Sequence, residues 1–375
     1  MKRNGTRLVQ IRSMQGKFDF RVQQFYDLAA CAYKNWLQMK NYCSLHDYIS
    51  EGLKEYSAWL SLGSSYEHSS RILERQLGER VLSDQSIYHL VESKATAVSQ
   101  ESKSEVLGVL ADLDMPAISE NVDLYSVDSE EVLLFEDGIQ VKGQKQERLS
   151  KNKVQVSERG KGKRHNTDIV SLQQKDGSFL NFTNDLEGEL DLSAYIKANI
   201  TSTYEGQGVL NIVSIIDGAS TIRRHLHAAL EGKVIYILDW FHLRKKCNEL
   251  LSMIAFGKQH REQLAKELLS LCWKGQVKQA IEQLKNLKKV RNQTKYQELI
   301  NYLTKHQAAI INYEKRQQIG KVIGSGHMES VVNEVIGTRQ KDNGMAWSQK
   351  GSKALAILKI ELLNHNWDNI WNKVA

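Results

Sequence analysis

The sequence has almost no proline. Pro116 is the single one in 375 residues, where a typical usage of about 5% would give about 19. Proline-rich linkers and collagen-like repeats are excluded, and long helices meet no breaker. Cysteine is nearly as scarce. Cys31, Cys43, Cys247 and Cys272 lie far apart and form no CxxC pair. That argues against a zinc ribbon and a disulfide framework, and it fits a reducing cytosol. No run approaches the roughly 18 apolar residues of a spanning helix. The basic start, Met1-Lys2-Arg3, leads into no signal-peptide core. The expectation is a cytoplasmic chain with no membrane partner.

What is present is an ordinary globular composition, 41% apolar, enough for two or three domains. There are 51 Lys and Arg against 44 Asp and Glu, a net charge of +7, so the position of the excess matters more than its size. No internal repeat or low-complexity tract occurs. Near the N-terminus, Leu8 to Ile11 and Phe18 to Val22 alternate around Gln15-Gly16, which predicts a small hairpin. Residues 48–62 read as helix. Tyr66 to Leu77, then Gly78, then Ser83 to Glu92 read as helix, glycine turn and helix, with Ser83 at an N-cap position. Two readings stay open for that pair: a DNA-reading helix-turn-helix, or two packed helices of a helical domain. A charged helical stretch continues to about Leu113, and Pro116 marks a boundary.

From Val132 the texture changes. Val132 to Phe135, Val209 to Ile216 and Val234 to Leu238 are short apolar runs that read as buried strands. Alternating segments lie near Asp168 to Leu172 and Phe179 to Phe182. Helical patterns follow at 194–204, 221–230 and 241–254, so an α/β domain with a mixed sheet is expected. Residues 255–318 read as helices throughout. The segment from Gly324 opens with a Gly-Ser-Gly turn and is then mainly helical.

Each apolar run ends in an acid: Glu136-Asp137-Gly138, Asp217-Gly218 and Asp239. A carboxylate at the end of a doubly buried strand is costly unless a metal or hydrogen-bonded backbone offsets its charge. Asp-Gly is also a common turn dipeptide, so turn chemistry is the competing explanation. Basic charge collects between Lys142 and Arg164, where nine bases, including Lys161, Lys163 and Arg164, face Glu147 and Glu158. Nine minus two is +7, equal to the charge of the whole chain. Such a segment suits salt-sensitive phosphate binding, or it is a solvated surface loop. A second excess, Lys274 to Lys295, has seven bases against Glu282 and falls in the helical block.

The order of the motifs is more telling than any one of them. Asp137-Gly138 is followed by Asp217-Gly218-Ala219-Ser220, then Asp239-Trp240-Phe241-His242, then the helical block. Only afterwards come Gly324-Ser325-Gly326-His327-Met328-Glu329-Ser330, Thr338-Arg339-Gln340-Lys341 and Asn366-Trp367-Asp368. From about residue 60 to the C-terminus this arrangement resembles the DDE transposases of bacterial insertion sequences, most of all the Kra-type group, with relatives among Mutator-like and hAT-like elements.

The resemblance implies an α/β fold: a ribonuclease H-like mixed-sheet core interrupted by an all-helical insertion, with a mainly helical N-terminal region. Ahead of it the residues give a small N-terminal region over 1–46 with a candidate hairpin. With the resemblance, the chain then divides into a helix-turn-helix-like DNA-binding region over 47–115, the first part of the core over 130–254, the insertion over 255–318, and C-terminal core helices over 319–375. Carried across residue by residue, it makes Asp137, Asp217 and Glu329 the catalytic, metal-binding triad. Asp239 and His242 form a second signature that supports the site. The implied cofactor is Mg2+ or Mn2+, as two ions. The implied partners are DNA, both element ends and target, and further copies of the chain in a synaptic complex, with the protein nucleoid-associated when bound. Many relatives carry a Cys-rich N-terminal segment, whereas only Cys31 and Cys43 lie there in this chain.

The residue types suit that chemistry. Strand transfer attacks a phosphodiester in line, and two ions about 3.5–4 Å apart stabilise attacking and leaving oxygens. Hard divalent ions prefer carboxylate oxygen and keep several waters, so three acids suffice. Arg339 and Lys341 follow Glu329 by about three helical turns and are candidates for DNA phosphate, or simply helix-terminal cations. His225 and His227 diverge on a helix and make poor co-ligands. His327 is either a ligand or a local cap. Trp240 and Trp347 are either base-stacking platforms or buried aromatics. Two other functions stay open: an inactive or domesticated DNA-binding protein on the same fold, and a glycosidase built on paired carboxylates.

Overall fold

The computed structural model describes residues 2–29, 31–35, 48–144, 164–341 and 345–372. The chain divides into two compact units, each discontinuous in sequence. The first comprises Met1–Ser102, Gln140–Asn166 and Asn333–Ala375; the second comprises Lys103–Ile139 and Thr167–Val332. No helix among the described residues is long and apolar enough to cross a membrane.

The first unit opens with the expected hairpin, longer than the alternating runs. β1 (Lys2–Ser13) pairs antiparallel with β2 (Gly16–Asp27), closing at Ser13 opposite Gly16. Gly16 has φ 114°, a conformation glycine adopts at no steric cost. β3 (Ala32–Asn35) adds to the far edge of β2. Three helices follow: α1 (Glu51–Gly63), α2 (Tyr66–Leu77) and α3 (Asp84–Asp112), the last of which runs past Ser102 into the second unit. Ser50 and Ser65 cap the first two through backbone N–H groups three residues on. Ser83 does the same for α3 by accepting from Ser86 N. Gly78 ends α2 at φ 77°, which lets the chain reverse. Ile49, Leu53, Leu73, Val81, Leu82 and Ile87 are buried together under this turn. Each contributes roughly 1.5–3 kcal/mol of apolar burial, so packing holds the helix pair.

The second unit is a mixed α/β structure. Its five-stranded sheet has the order β6-β5-β4-β7-β8, built from β4 (Val132–Lys142), β5 (Arg164–Gln173), β6 (Phe179–Phe182), β7 (Ile212–Ile216) and β8 (Ile235–Leu238). β4, β7 and β8 are parallel neighbours, while β5 and β6 are antiparallel. All five residues of β7 are buried, which explains a continuous apolar run in place of alternation. α4 (Leu192–Thr203) precedes β7, and α5 (Ser220–Leu230) crosses from β7 to β8. Their apolar sides join Leu134, Val170, Ile212 and Ile216 in the main core.

After β8 comes α6 (Trp240–Ile254), then α7 (Lys258–Trp273), α8 (Val277–Lys285), α9 (Gln293–Lys305) and α10 (Tyr313–Gln318). This block is fastened to the sheet by buried polar contacts. Tyr313 Oη donates to the Leu238 carbonyl at 2.7 Å. Arg316 and Lys321 converge on Glu131, each at 2.6 Å, and the Arg316 side chain is fully buried. α11 (Gly326–Val332) closes the unit. The helix continues as a π-helix over Asn333–Lys341, followed by α12 (Gln349–Leu363) and α13 (Trp367–Asn372) in the first unit.

One strand differs from expectation. β4 does not stop at Asp137-Gly138 but runs on to Lys142. Its parallel pairing with β7 reaches Phe135, and beyond Glu136 the burial pattern changes from continuous to alternating. Asp137 therefore sits inside a strand, beyond the last residue of its parallel neighbour.

Candidate active site

The register of the parallel strands lines up the acids. Phe135 pairs with Ile215, so the same register carried two residues on sets Asp137 level with Asp217. Ile216 pairs with Leu238, so one residue on Asp217 is level with Asp239. Adjacent strands lie about 4.8 Å apart, and residues in register project to the same face. By register the three aspartates form a row in which Asp217 and Asp239 directly follow β7 and β8 while Asp137 lies within β4, near the side of the sheet where ligands of open α/β folds commonly bind.

Each aspartate has a different environment. Asp137 is half-buried, and its Oδ1 accepts the N–H of Gly138 at 2.7 Å. Burial pushes its carboxyl up to about 6, opposed by that N–H; the Asp217 and Glu329 charges push it further up, while His242 opposes them. Asp217 is half-exposed and its Oδ1 accepts Ala219 N at 2.7 Å, a turn closed by its own side chain. Gly218 has φ 97°, and a Cβ there would stand 2.9 Å from Cε1 of His306. Turn chemistry is therefore present at this Asp-Gly, with His306 packed against it.

Asp239 is buried. Its Oδ1 accepts His242 N at 2.7 Å and so caps α6. Its Oδ2 accepts from the backbone and hydroxyl of Ser325. Burial alone would raise this carboxyl, but the His242 side chain together with those hydrogen bonds overturns it and holds it down at about 2. His242 Nδ1 lies 3.4 Å from Asp239 Oδ1, and its Nε2 lies 3.8 Å from Glu329 Oε1. The Asp239 carboxylate raises the imidazole, burial opposes it, and Glu329 and Asp217 add to the rise. Glu329 sits in the first turn of α11 with its side chain 59% exposed.

The structure thus brings Asp137, Asp217, Glu329, Asp239 and His242 into one electrostatic neighbourhood. Among the described residues, no group of three or more His, Cys, Asp or Glu side chains is close enough to hold a metal ion together.

The basic candidates fare differently. Lys161 and Lys163 lie outside the described residues, as does Cys43. Arg164 is the exposed first residue of β5, and Lys341 is exposed at the end of the π-helix. Arg339 is buried in the first unit, 4% exposed. His327 stacks on Phe179 with centroids 4.1 Å apart, and burial lowers its pKa, so it is part of the packing. Trp240 packs edge-on against Trp273 and beside Tyr313, a buried aromatic. His225 faces inward, its Nδ1 2.6 Å from Oε1 of the buried Glu136.

Sequence reasoning missed three contributors. Ser325 carries no signal beyond its place in a Gly-Ser-Gly turn. His306 stands at the C-terminal cap of α9 and reaches Gly218 only because the helical block folds back. Burial lowers it to about 4, with Arg223 and Lys305 adding to the effect and Asp217 opposing it, so it is a neutral imidazole at neutral pH. Arg223 lies 3.5 Å from His306 Nδ1 and over the Tyr236 ring. Its position one turn after Asp217-Gly218 was the available clue.

The model of an uncharacterised protein family, UPF0236, matches residues 2–368. The chain belongs to this family. No curated protein matches the sequence of this UPF0236 member.

Proposed function

We propose that this UPF0236 protein is a DNA transposase of the DDE type on a ribonuclease H-like core, which cleaves element ends and joins them to target DNA. The observation that carries the reading is the register row: Asp137, within β4, is level with Asp217, just past the end of its parallel neighbour β7, and the Glu329 charge acts on the Asp137 carboxyl. The order of those acids and the helical block after Asp239-Trp240-Phe241-His242 match the DDE pattern.

The all-carboxylate donor types suit hard divalent ions, although among the described residues no three of these side chains stand close enough together to hold one. Asp137, held up by burial and by two neighbouring carboxylates, is a group whose ionised form a cation would favour. Asp137, Asp217 and Glu329 would hold Mg2+ or Mn2+, which when bound activates the attacking oxygen and stabilises the leaving one. The chain's own residues do the positioning. Asp239 fixes the start of α6 and the turn before α11 through Ser325, and so sets where His242 and Glu329 stand. Arg164 and Lys341, both exposed, would meet DNA phosphate. The protein acts in the cytoplasm on the nucleoid, as a multimer that brings two DNA ends together.

Cleavage of DNA carrying the element's flanking repeats tests this, wild type beside Asp217→Ala, with Mg2+ or Mn2+. Cation-dependent cleavage that the variant loses by orders of magnitude supports the reading. Specific binding without cleavage by either protein would move the assignment to an inactive or domesticated DNA-binding protein.

A further inference from the structure

The first unit contains a cavity of about 560 Å³ between the start of α2, the start of α3 and the segment after the π-helix. Tyr66, Tyr88 and Trp347 line it, with Arg339 and Gln144. The volume suits a ligand of one or two rings. Tyr66 stands edge-on to both Tyr88 and Trp347, with centroids 5.7 and 6.5 Å away. Gly351 leaves room for this arrangement: a Cβ there would lie 3.3 Å from the Tyr88 ring.

The guanidinium of Arg339 lies 4.8 Å from the Trp347 centroid and 5.6 Å from that of Tyr66. Its hydrogen bonds go to the Ser61 carbonyl and to the Met345 sulfur, both 3.1 Å and neither charged. Among the described residues no carboxylate pairs with it. A buried cation without a counter-charge is expensive unless an anion completes it. The Tyr66 hydroxyl is also buried, with no hydrogen-bond partner among the described residues. The acids at the rim are committed elsewhere, Glu67 to Arg71 and Asp84 to Arg80. The segment that delivers Arg339 is a nine-residue π-helix, a rare backbone frequent at functional sites. Its wide turn lets Gly337 approach the Asn333 side chain more closely than any Cβ could.

Aromatic walls, a buried cation with no carboxylate partner among the described residues and a buried hydroxyl with no partner among them call for a ligand that is flat, polar at its edge and anionic. We propose that this cavity binds one unpaired nucleotide of a DNA strand, its base stacked against Tyr88 and Trp347 and its phosphate held by Arg339. The proposal rests on the DNA reading above. Base-aromatic stacking and charge-assisted phosphate contact are the terms expected at single-stranded nucleotides, and a fully paired duplex offers no free base.

The test uses the full chain and duplex DNA with a single-nucleotide bulge carrying 5-iodouracil, beside the same duplex fully paired. Anisotropy should show the bulged duplex bound about tenfold tighter, and irradiation should crosslink the iodouracil to Tyr88 or Trp347. Tyr88→Leu should erase the preference, and Tyr88→Phe, which keeps the ring, should retain it. Equal binding of the two duplexes, or crosslinks that map elsewhere, would overturn the pocket and leave the DNA reading standing. Absence of binding to any DNA would overturn both. Binding of free deoxyadenosine monophosphate without binding of either duplex would overturn the proposal in favour of a free-nucleotide site.

Discussion

Asp239 and Ser325 are 86 residues apart in sequence, yet one carboxylate oxygen of Asp239 accepts both the backbone N–H and the hydroxyl of Ser325, the latter at 2.8 Å. The other oxygen caps α6. A single buried side chain therefore fixes two helix starts, one bearing His242 and the other Glu329.

Removing that carboxylate should cost stability before anything else. Asp239→Ala loses a helix cap and leaves the Ser325 groups unpaired in a buried place, an expected cost of about 2–4 kcal/mol. Ser325→Ala should cost about 1 kcal/mol. Urea denaturation of the three proteins at pH 7 checks the order, and an Asp239→Ala chain as stable as wild type would contradict it.

The same group predicts an acid limb. Its folded value, about 2, lies below the ordinary 3.8, so its stabilisation is present above pH 4 and is lost as pH falls toward 2. At about 1.36 kcal/mol per unit the contribution is about 2 kcal/mol. In Asp239→Asn that part of the loss between pH 4 and 2 should disappear from stability measured against pH.

Asp137 has the opposite sign. Its folded value, about 6, lies above 3.8, so the ionised side chain costs stability at neutral pH and the cost fades as pH falls from 6 toward 4. Asp137→Asn should therefore be more stable than wild type at pH 7.5, by about 1–2 kcal/mol after allowing for solvent access, while losing cleavage. Stability sacrificed to a site is a familiar trade. A neutral or destabilising effect in urea would count against this environment.

Gly218 should tolerate no side chain. Gly218→Ala must adopt φ 97° and meet His306 at 2.9 Å, at an expected cost of about 2–4 kcal/mol. In a His306→Ala background the clash is relieved and only the backbone strain remains, so the two changes should be strongly non-additive. Additive losses in thermal unfolding would place the two residues apart.

A bound cation should stabilise the fold. Mn2+ at a hundred times its dissociation constant is expected to add about 2.7 kcal/mol to wild-type stability, and chelation should remove it. Asp217→Asn should show little of this gain. An equal shift in both proteins would place the ion elsewhere.

Much of this architecture was readable in the residues. The hairpin around Gln15-Gly16, the helix pair around Gly78 with its Ser83 cap, and the three apolar strands follow from local rules, because turn chemistry, capping and hydrophobic periodicity act within a few residues. Asp137, Asp217 and Asp239 were nameable for the same reason, each ending an apolar run, whereas Glu329 was named only through the resemblance to DDE transposases. Local rules misplaced the end of β4, since Asp137-Gly138 reads as a turn, whereas the strand continues to Lys142.

The tertiary structure alone decided which of these residues meet. Register is a property of pairs of strands, so the levelling of Asp137, Asp217 and Asp239 exists only once β4, β7 and β8 lie side by side. His306 reaches Gly218, and Ser325 reaches Asp239, through contacts whose partners are 86 or more residues apart. Burial likewise turned Arg339 from a plausible surface cation into a side chain stacked between rings. Sequence determined the segments and the acids they carry; long-range packing, which no local pattern encodes, determined the environment that tunes each one.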